Sequence, residues 1–454
     1  MFYLRNFKNF AEAELDLNQA TTLIIGPNGS GKSNLIEAIE LLSFLASGHR
    51  LHEVTDIGRE GNMEIRGGLE ACARIGHDHF TLGFKGSIEV DGEIVPLPFK
   101  YEITVRVKPE PRIIGETLTS TKSQVPIFEI LPAEAETASA DNTVRFGNNR
   151  KGRNKPVEQI AADRSALSQY SRFARDINHL PESLAMVEGV LAALAAPNVF
   201  DPMPKLMRSY ERRSETQLAR NGYNISPVLF NLAIDRPIII PQPGGRPPKR
   251  VLSNQRPVLE RILKRITQLP DEPFSKFEFI RMPKAGDLMF GFKLANQEDV
   301  IDARLLSDGT LRALAILTAL ETSRPGNRLI LEEFDNGVHP SRVPVMASAL
   351  FDCAERNKLY VIATTHNPAT MSALAGGQLD SVLLVVSDPE KHTARLVRLH
   401  DLPAVLNLSN AGAWGIWSPV VSTNRICAQI MKRPVVMKLT NGSKACHEHR
   451  GLRH

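Results

Sequence analysis

The eight residues Gly26-Pro27-Asn28-Gly29-Ser30-Gly31-Lys32-Ser33 constrain this chain more than any other stretch. They fit the glycine-rich phosphate-binding loop, a pattern that carries weight only between a strand and a helix. Both flanks comply. Leu23-Ile24-Ile25 reads as a buried strand, and Asn34 to Leu42 places apolar residues at helical spacing. Glycines let successive backbone N–H groups close around phosphate oxygens, and the helix N-terminus adds its positive dipole end. Gly26 through Asn34 are therefore expected to cradle a nucleotide, with Lys32 reaching the terminal phosphates and Ser33 ligating Mg²⁺.

A chain of 454 residues exceeds the ~250–300 at which single cores stop growing, so two or more lobes are expected. The 42% apolar and 23% charged fractions are those of a globular protein in water, and no apolar run approaches the ~18–20 residues that cross a bilayer. No membrane partner is expected. Phe7 is followed by Lys8, Glu12, Glu14 and Asp16, which is unlike a secretory leader. Cys72, Cys353, Cys427 and Cys446 show neither CxxC pairing nor disulfide-framework spacing, so a reducing cytoplasm is the expected compartment. Net charge is only +5, yet residues 201–265 hold thirteen Lys/Arg against five Asp/Glu, a local +8 that leaves −3 elsewhere. Arg145, Arg150, Lys151, Arg153 and Lys155 form a second basic group. The basic residues of 145–155 and 205–265 read either as a nucleic-acid footprint or as ordinary solvated faces.

The pattern of elements implies an α/β fold: a mostly parallel sheet flanked by helices, with an antiparallel β subdomain and an inserted helical subdomain. Residues 1–156 read as an N-terminal lobe holding the glycine loop and the antiparallel part, where alternating runs such as Tyr101 to Val107 and the turn Asp91-Gly92 suggest hairpins. Its end, from about Pro132 to Pro156, has the composition of an exposed loop. Residues 157–270 read as the inserted helical, basic subdomain, interrupted by the proline-rich Pro237 to Pro248. Residues 271–410 form the second lobe, with strands at Arg328 to Leu331, Leu359 to Ala363 and Ser381 to Val386 alternating with helices. Residues 411–454 carry seven Lys/Arg, one acid and both tryptophans, and read as a divergent, disordered tail. Cys427, Cys446, His447 and His449 match no standard zinc spacing.

Three downstream segments extend the first motif. Leu306-Ser307-Asp308-Gly309-Thr310-Leu311-Arg312 precedes a helix, so Ser307 and the N–H groups after it can face phosphate. Leu329-Ile330-Leu331 ends in Glu332-Glu333, which places paired carboxylates where one can hold Mg²⁺ and the other can polarise water. Val361-Ile362-Ala363-Thr364-Thr365 carries His366 just past a strand end.

In that order these segments resemble the signature, Walker B and switch-histidine motifs of ABC-type ATPase heads of the SMC, RecF and OLD group. Leu4-Arg5-Asn6-Phe7-Lys8-Asn9-Phe10 resembles that group's opening. Ser307 to Arg312 and Glu332 to Arg342 are closer still to a branch of ATPases from bacterial antiphage systems such as Septu and retron-associated effectors. The resemblance implies ATP and Mg²⁺ as cofactors, hydrolysis with Lys32, Glu333 and His366 as catalytic residues, and Ser33 with Glu332 at the metal. It also implies an ATP-sandwiched homodimer in which Ser307, Asp308 and Gly309 complete the partner's site. Two departures stand out. Glu332 replaces the usual aspartate, and no glutamine between the halves takes the Q-loop place. No second acidic cluster follows Val385-Val386-Ser387-Asp388, so any nuclease or toxic effector is expected on a separate subunit. The alternative is a RecF-like, DNA-binding repair or recombination ATPase.

Overall fold

Thr21–Ile25, the strand leading into the glycine loop, is buried at all five positions, as a strand covered on both faces must be. In the computed structural model it lies at the centre of a parallel set. Tyr360–Thr365 and Val382–Asp388 flank it, Arg328–Leu331 follows Tyr360–Thr365, and Asn198–Phe200 closes the edge. The structure describes residues 1–401 except 59–61, 90–94, 121–124, 133–140, 148–154, 174–180, 196, 213–216, 241–248, 271, 283–285, 296 and 389–391. The described residues fall in one compact unit, Met1–Trp417; the tail and the Asp91-Gly92 turn lie outside them.

Register decides what this sheet can do. Ile25 pairs with Thr365, Ala363 with Leu331, and Leu331 with Phe200, all in parallel ladders. Every one of these strands therefore ends on the same edge, and the residues that follow them must meet there.

The same sheet continues without a break into an antiparallel half. Thr393–Arg398, Phe10–Leu15, Phe2–Phe7, His79–Ile88, Leu97–Arg106, Arg112–Ser120, Phe128–Ile130, Asp141–Phe146 and Val157–Ala161 follow in spatial order, making fourteen strands in all. Leu97, Phe99, Tyr101, Ile103 and Val105 are buried while the residues between them are less so, the period of two expected of a sheet with one covered face. The expected α/β architecture, with a parallel core and an antiparallel extension, is what the chain adopts.

Two stretches differ from their sequence reading. Asp141–Phe146, inside the expected loop, is a strand whose Asn142, Val144 and Phe146 point into the core, so its alternation outweighs its loop-like composition. Val157–Ala161 pairs with it, and helices Ala166–Phe173 and Pro181–Ala193 pack on the antiparallel half. The proline-rich stretch begins inside strand Arg236–Ile240, which pairs with Lys249–Ser253.

A smaller sheet of Glu211–Arg212, Asp287–Leu294, Phe274–Arg281 and Val300–Asp302 touches the Ala303–Leu305 turn that leads to Ser307. Helix Ile225–Ala233 packs on it, and the Ser226 hydroxyl accepts from the Phe290 N–H at 3.2 Å. Helix Asp308–Thr322, buried along most of its length, lies against helix Arg256–Ile266, and Arg261 reaches the fully buried carboxylate of Glu321 at 3.0 Å.

Candidate functional site

The glycine loop is shaped by backbone that only glycine adopts readily. Gly29 and Gly31 have φ of 77° and 116°, and a Cβ at Gly31 would lie 2.7 Å from the side chain of Asn9. Asn9 itself pins the loop: its amide donates to the Ser30 carbonyl at 2.9 Å and its oxygen accepts from Asn34 at 2.8 Å. It comes from the turn between the first two strands, and nothing local in the sequence links it to residues 30–34. Asn28 and Gly29 are exposed at the tip, while Gly26, Ser30 and Gly31 are buried. Lys32 opens helix Lys32–Ala46 and folds back over the loop, donating to the Gly26 carbonyl at 2.7 Å and the Pro27 carbonyl at 3.1 Å. Burial lowers its pKa, against the raising pull of Glu333 and Asp335.

Opposite the loop stands the end of Arg328–Leu331. The Ser33 hydroxyl lies 3.4 Å from Oε2 of Glu332, whose pKa is raised by burial and lowered in part by Arg220. Glu333 is held in the left-handed region, φ 45°, a conformation costing a glutamate about 1–3 kcal/mol. Its N–H donates to the Thr364 hydroxyl at 2.9 Å, and Asn336 donates to its Oε2 at 2.9 Å. Nδ1 of His366 lies 3.5 Å from Oε1 of Glu333, and both side chains are 37% exposed, open to a ligand. Lys32, Ser33, Glu332, Glu333 and His366 thus meet at one sheet edge. They come from three strand ends, at Ile25, Leu331 and Thr365, the first about 300 residues before the other two.

Asp335 belongs to the same cluster, although no sequence signal singled it out. Its buried carboxylate accepts from the Thr365 hydroxyl at 2.7 Å and from that of Thr370, while Oδ1 has no partner. It ties the turn after Glu333 to the segment carrying His366. Asp335→Ala removes the acceptor of two buried hydroxyls, and a loss of about 2–3 kcal/mol in urea unfolding is expected.

Ser307, Asp308 and Gly309 sit elsewhere. No hydrogen bond or ion pair among the described residues joins them to residues 26–34. Ser307 caps helix Asp308–Thr322 by accepting from the Thr310 N–H at 3.1 Å. Behind it, Arg342 lies 2.7 Å from Glu272, and its guanidinium donates to the Thr310 hydroxyl at 3.0 Å. Arg208 holds the turn from outside, donating to the Leu306 carbonyl at 2.8 Å and to Asp308 at 2.5 Å. The turn packs tightly on the loop after the carboxylates, since a Cβ on Gly309 would lie 2.8 Å from the Gly337 oxygen. Ser307 and Asp308 are exposed, and neighbouring Leu305 is 73% exposed.

Among the described residues no group of three His, Cys, Asp or Glu side chains is placed to hold a metal alone. One hydroxyl and one carboxylate, Ser33 and Glu332, suit an ion such as Mg²⁺ that keeps waters and draws further oxygens from a nucleotide. Nor is any described helix long and apolar enough to cross a membrane.

A family model described as "AAA domain" matches residues 2–188, and one described as "AAA domain, putative AbiEii toxin, Type IV TA system" matches residues 233–372. Among curated relatives, the DNA replication and repair protein RecF of Nostoc punctiforme is 35% identical over 96 residues, 20% of this chain and 25% of RecF. RecF of Picosynechococcus is 33% identical over 97 residues, again 20% and 25%. The chain thus spans about a quarter of the length of these relatives. Among solved structures, an SMC head bound to the C-winged helix domain of ScpA aligns with 87% of this chain and 96% of its own, at 13% identity and TM-score 0.44. The SMC head domain from Thermotoga maritima aligns with 87% and 97%, at 14% identity and TM-score 0.38.

Proposed function

We propose that this chain is an ATP-binding and ATP-hydrolysing switch of the ABC type, working as a dimer. The observation that carries the reading is the parallel register that brings Lys32, Ser33, Glu332, Glu333 and His366 to one sheet edge. Residues 26–34 would enclose the triphosphate, Lys32 would leave the Gly26 and Pro27 carbonyls for its terminal oxygens, and Ser33 and Glu332 would hold Mg²⁺. When bound, Mg²⁺ neutralises phosphate charge. Glu333 accepts a proton from the attacking water, and His366, beside it, orients toward the γ-phosphate.

Ser307 and Gly309 serve the partner's nucleotide. The lack, among the described residues, of any hydrogen bond from them to residues 26–34 of the same chain and the exposed Ser307 and Leu305 support this division. A mixing experiment tests it. Lys32→Ala and Ser307→Arg are each expected to be inactive alone. Mixed in equal amounts, they are expected to recover roughly a quarter to a half of parental phosphate release, since one site in the mixed dimer has both parts intact. A mixture as inactive as its components would refute donation across the interface.

The finer reading is control of a separate nuclease or toxic effector in antiphage defence, in the cytoplasm. The Ser307 to Arg312 and Glu332 to Arg342 segments support it, as does the toxin–antitoxin description of the family matched over residues 233–372. The similarity to RecF favours direct DNA binding as the second reading. Steeply salt-dependent binding of duplex DNA by the isolated chain supports the second, and co-purification with a nuclease subunit supports the first.

A further inference from the structure

Arg220 belongs to none of the motifs, yet its guanidinium reaches one of the site's carboxylates. One nitrogen donates to Glu40 at 3.0 Å, and another lies 3.7 Å from Oε1 of Glu332. Glu40 stands two turns beyond Ser33 on the same helix face. Glu332 is therefore divided between two neighbours, Oε2 toward the Ser33 hydroxyl and Oε1 toward Arg220.

Four carboxylates gather here. Glu37 has Lys8 and Arg66, and Asp201 has Arg312 at 3.5 Å. Arg220 is the cation shared by the other two: among the described residues, Glu40 and Glu332 pair with no other Lys or Arg. The Arg220 side chain is 58% exposed, so it is held by charge and little by packing.

We infer that Arg220 is the internal counter-cation of Glu332, occupying that carboxylate until a divalent ion takes it. The inference rests on the nucleotide-site reading above. Were Ser33 and Glu332 to hold a divalent ion, Arg220 would give up Glu332 and remain on Glu40 alone. Affinity for the ion is thereby set lower than the carboxylate would give by itself, and loading depends more on the oxygens that a nucleotide adds.

Titration of the full-length chain with Mn²⁺, followed by electron paramagnetic resonance, tests this without reference to turnover. Without nucleotide at low ionic strength, Arg220→Gln is expected to bind Mn²⁺ roughly fivefold more tightly than the parent, and the difference should shrink in high salt. Arg220→Lys should fall between them, because one ammonium cannot bridge Glu40 and Glu332 as a guanidinium does. Glu332→Gln in the Arg220→Gln background should erase the gain. Equal or weaker Mn²⁺ binding by Arg220→Gln, with Mn²⁺ and a non-hydrolysable ATP analogue still bound together by the parent, overturns the role of Arg220 alone. Failure of the parent to bind that pair overturns the nucleotide site as well.

Discussion

Lys32→Ala is expected to weaken nucleotide binding by at least about a hundredfold, measured by the anisotropy of a fluorescent ATP analogue. Two charge-assisted hydrogen bonds at about 1.5–3 kcal/mol each set that scale. The lysine is 6% exposed, with its ammonium over the loop carbonyls of Gly26 and Pro27, so the charge is already desolvated and aimed where phosphate would lie. No other Lys or Arg among the described residues hydrogen-bonds to residues 26–31, so the alanine variant has no substitute cation. Because its ammonium hydrogen-bonds, among the described residues, only to these two loop carbonyls, folding should survive, and the circular dichroism spectrum should match the parent. Parental affinity in a folded Lys32→Ala variant would remove the basis for a nucleotide at this loop.

Glu333→Gln separates chemistry from binding. Phosphate release should fall by about 10²–10⁴, the range over which a positioned general base accelerates proton transfer, while ATP affinity stays near parental. The glutamine keeps the shape, can still accept from Asn336, and occupies the same left-handed backbone position, so the geometry around His366 should be retained. Native mass spectrometry with ATP and Mg²⁺ should then show a dimer that persists because hydrolysis no longer opens it. Turnover at the parental rate would assign the base elsewhere, and Asp335 would be the next candidate, since its carboxylate is buried beside the same cluster with one oxygen free.

The loop itself was legible because its chemistry is local. A strand, glycines at positive φ and a helix start lie within about twenty consecutive residues, and the structure places them as the spacing predicts. Glu332-Glu333 and His366 were legible for a similar reason: each follows a short buried strand, and in a parallel sheet such residues must emerge at one edge. Asn9 and Asp335 were not, because an asparagine in a tight turn and an aspartate in a polar stretch have many local uses. Only the ladders that bring Phe2–Phe7 and Arg328–Leu331 into one sheet give these two their partners.

The basic region shows the same limit from the other side. By count, residues 201–265 carry an excess of eight positive charges, but Arg208, Arg220, Arg256, Arg261 and Arg265 face Asp308, Glu40 and Glu332, Asp235, Glu321 and Asp352. Much of that charge is answered within the molecule. Of the second basic group, Arg145 pairs with Glu129 at 2.5 Å, and Arg150, Lys151 and Arg153 lie outside the described residues.

By itself the sequence determined the phosphate loop, the order of the strands that follow and the identity of the acids and histidine at their ends, because these depend on backbone conformation and short-range periodicity. The tertiary structure alone decided which side chains share a charge: that Glu332 lies between Ser33 and Arg220, that Asp335 anchors the histidine segment, and that Arg208 holds the Ser307 turn at Asp308. Ion pairs and hydrogen bonds form wherever opposite groups come within about 3–4 Å. That proximity is set by long-range strand pairing, which no stretch of adjacent residues records.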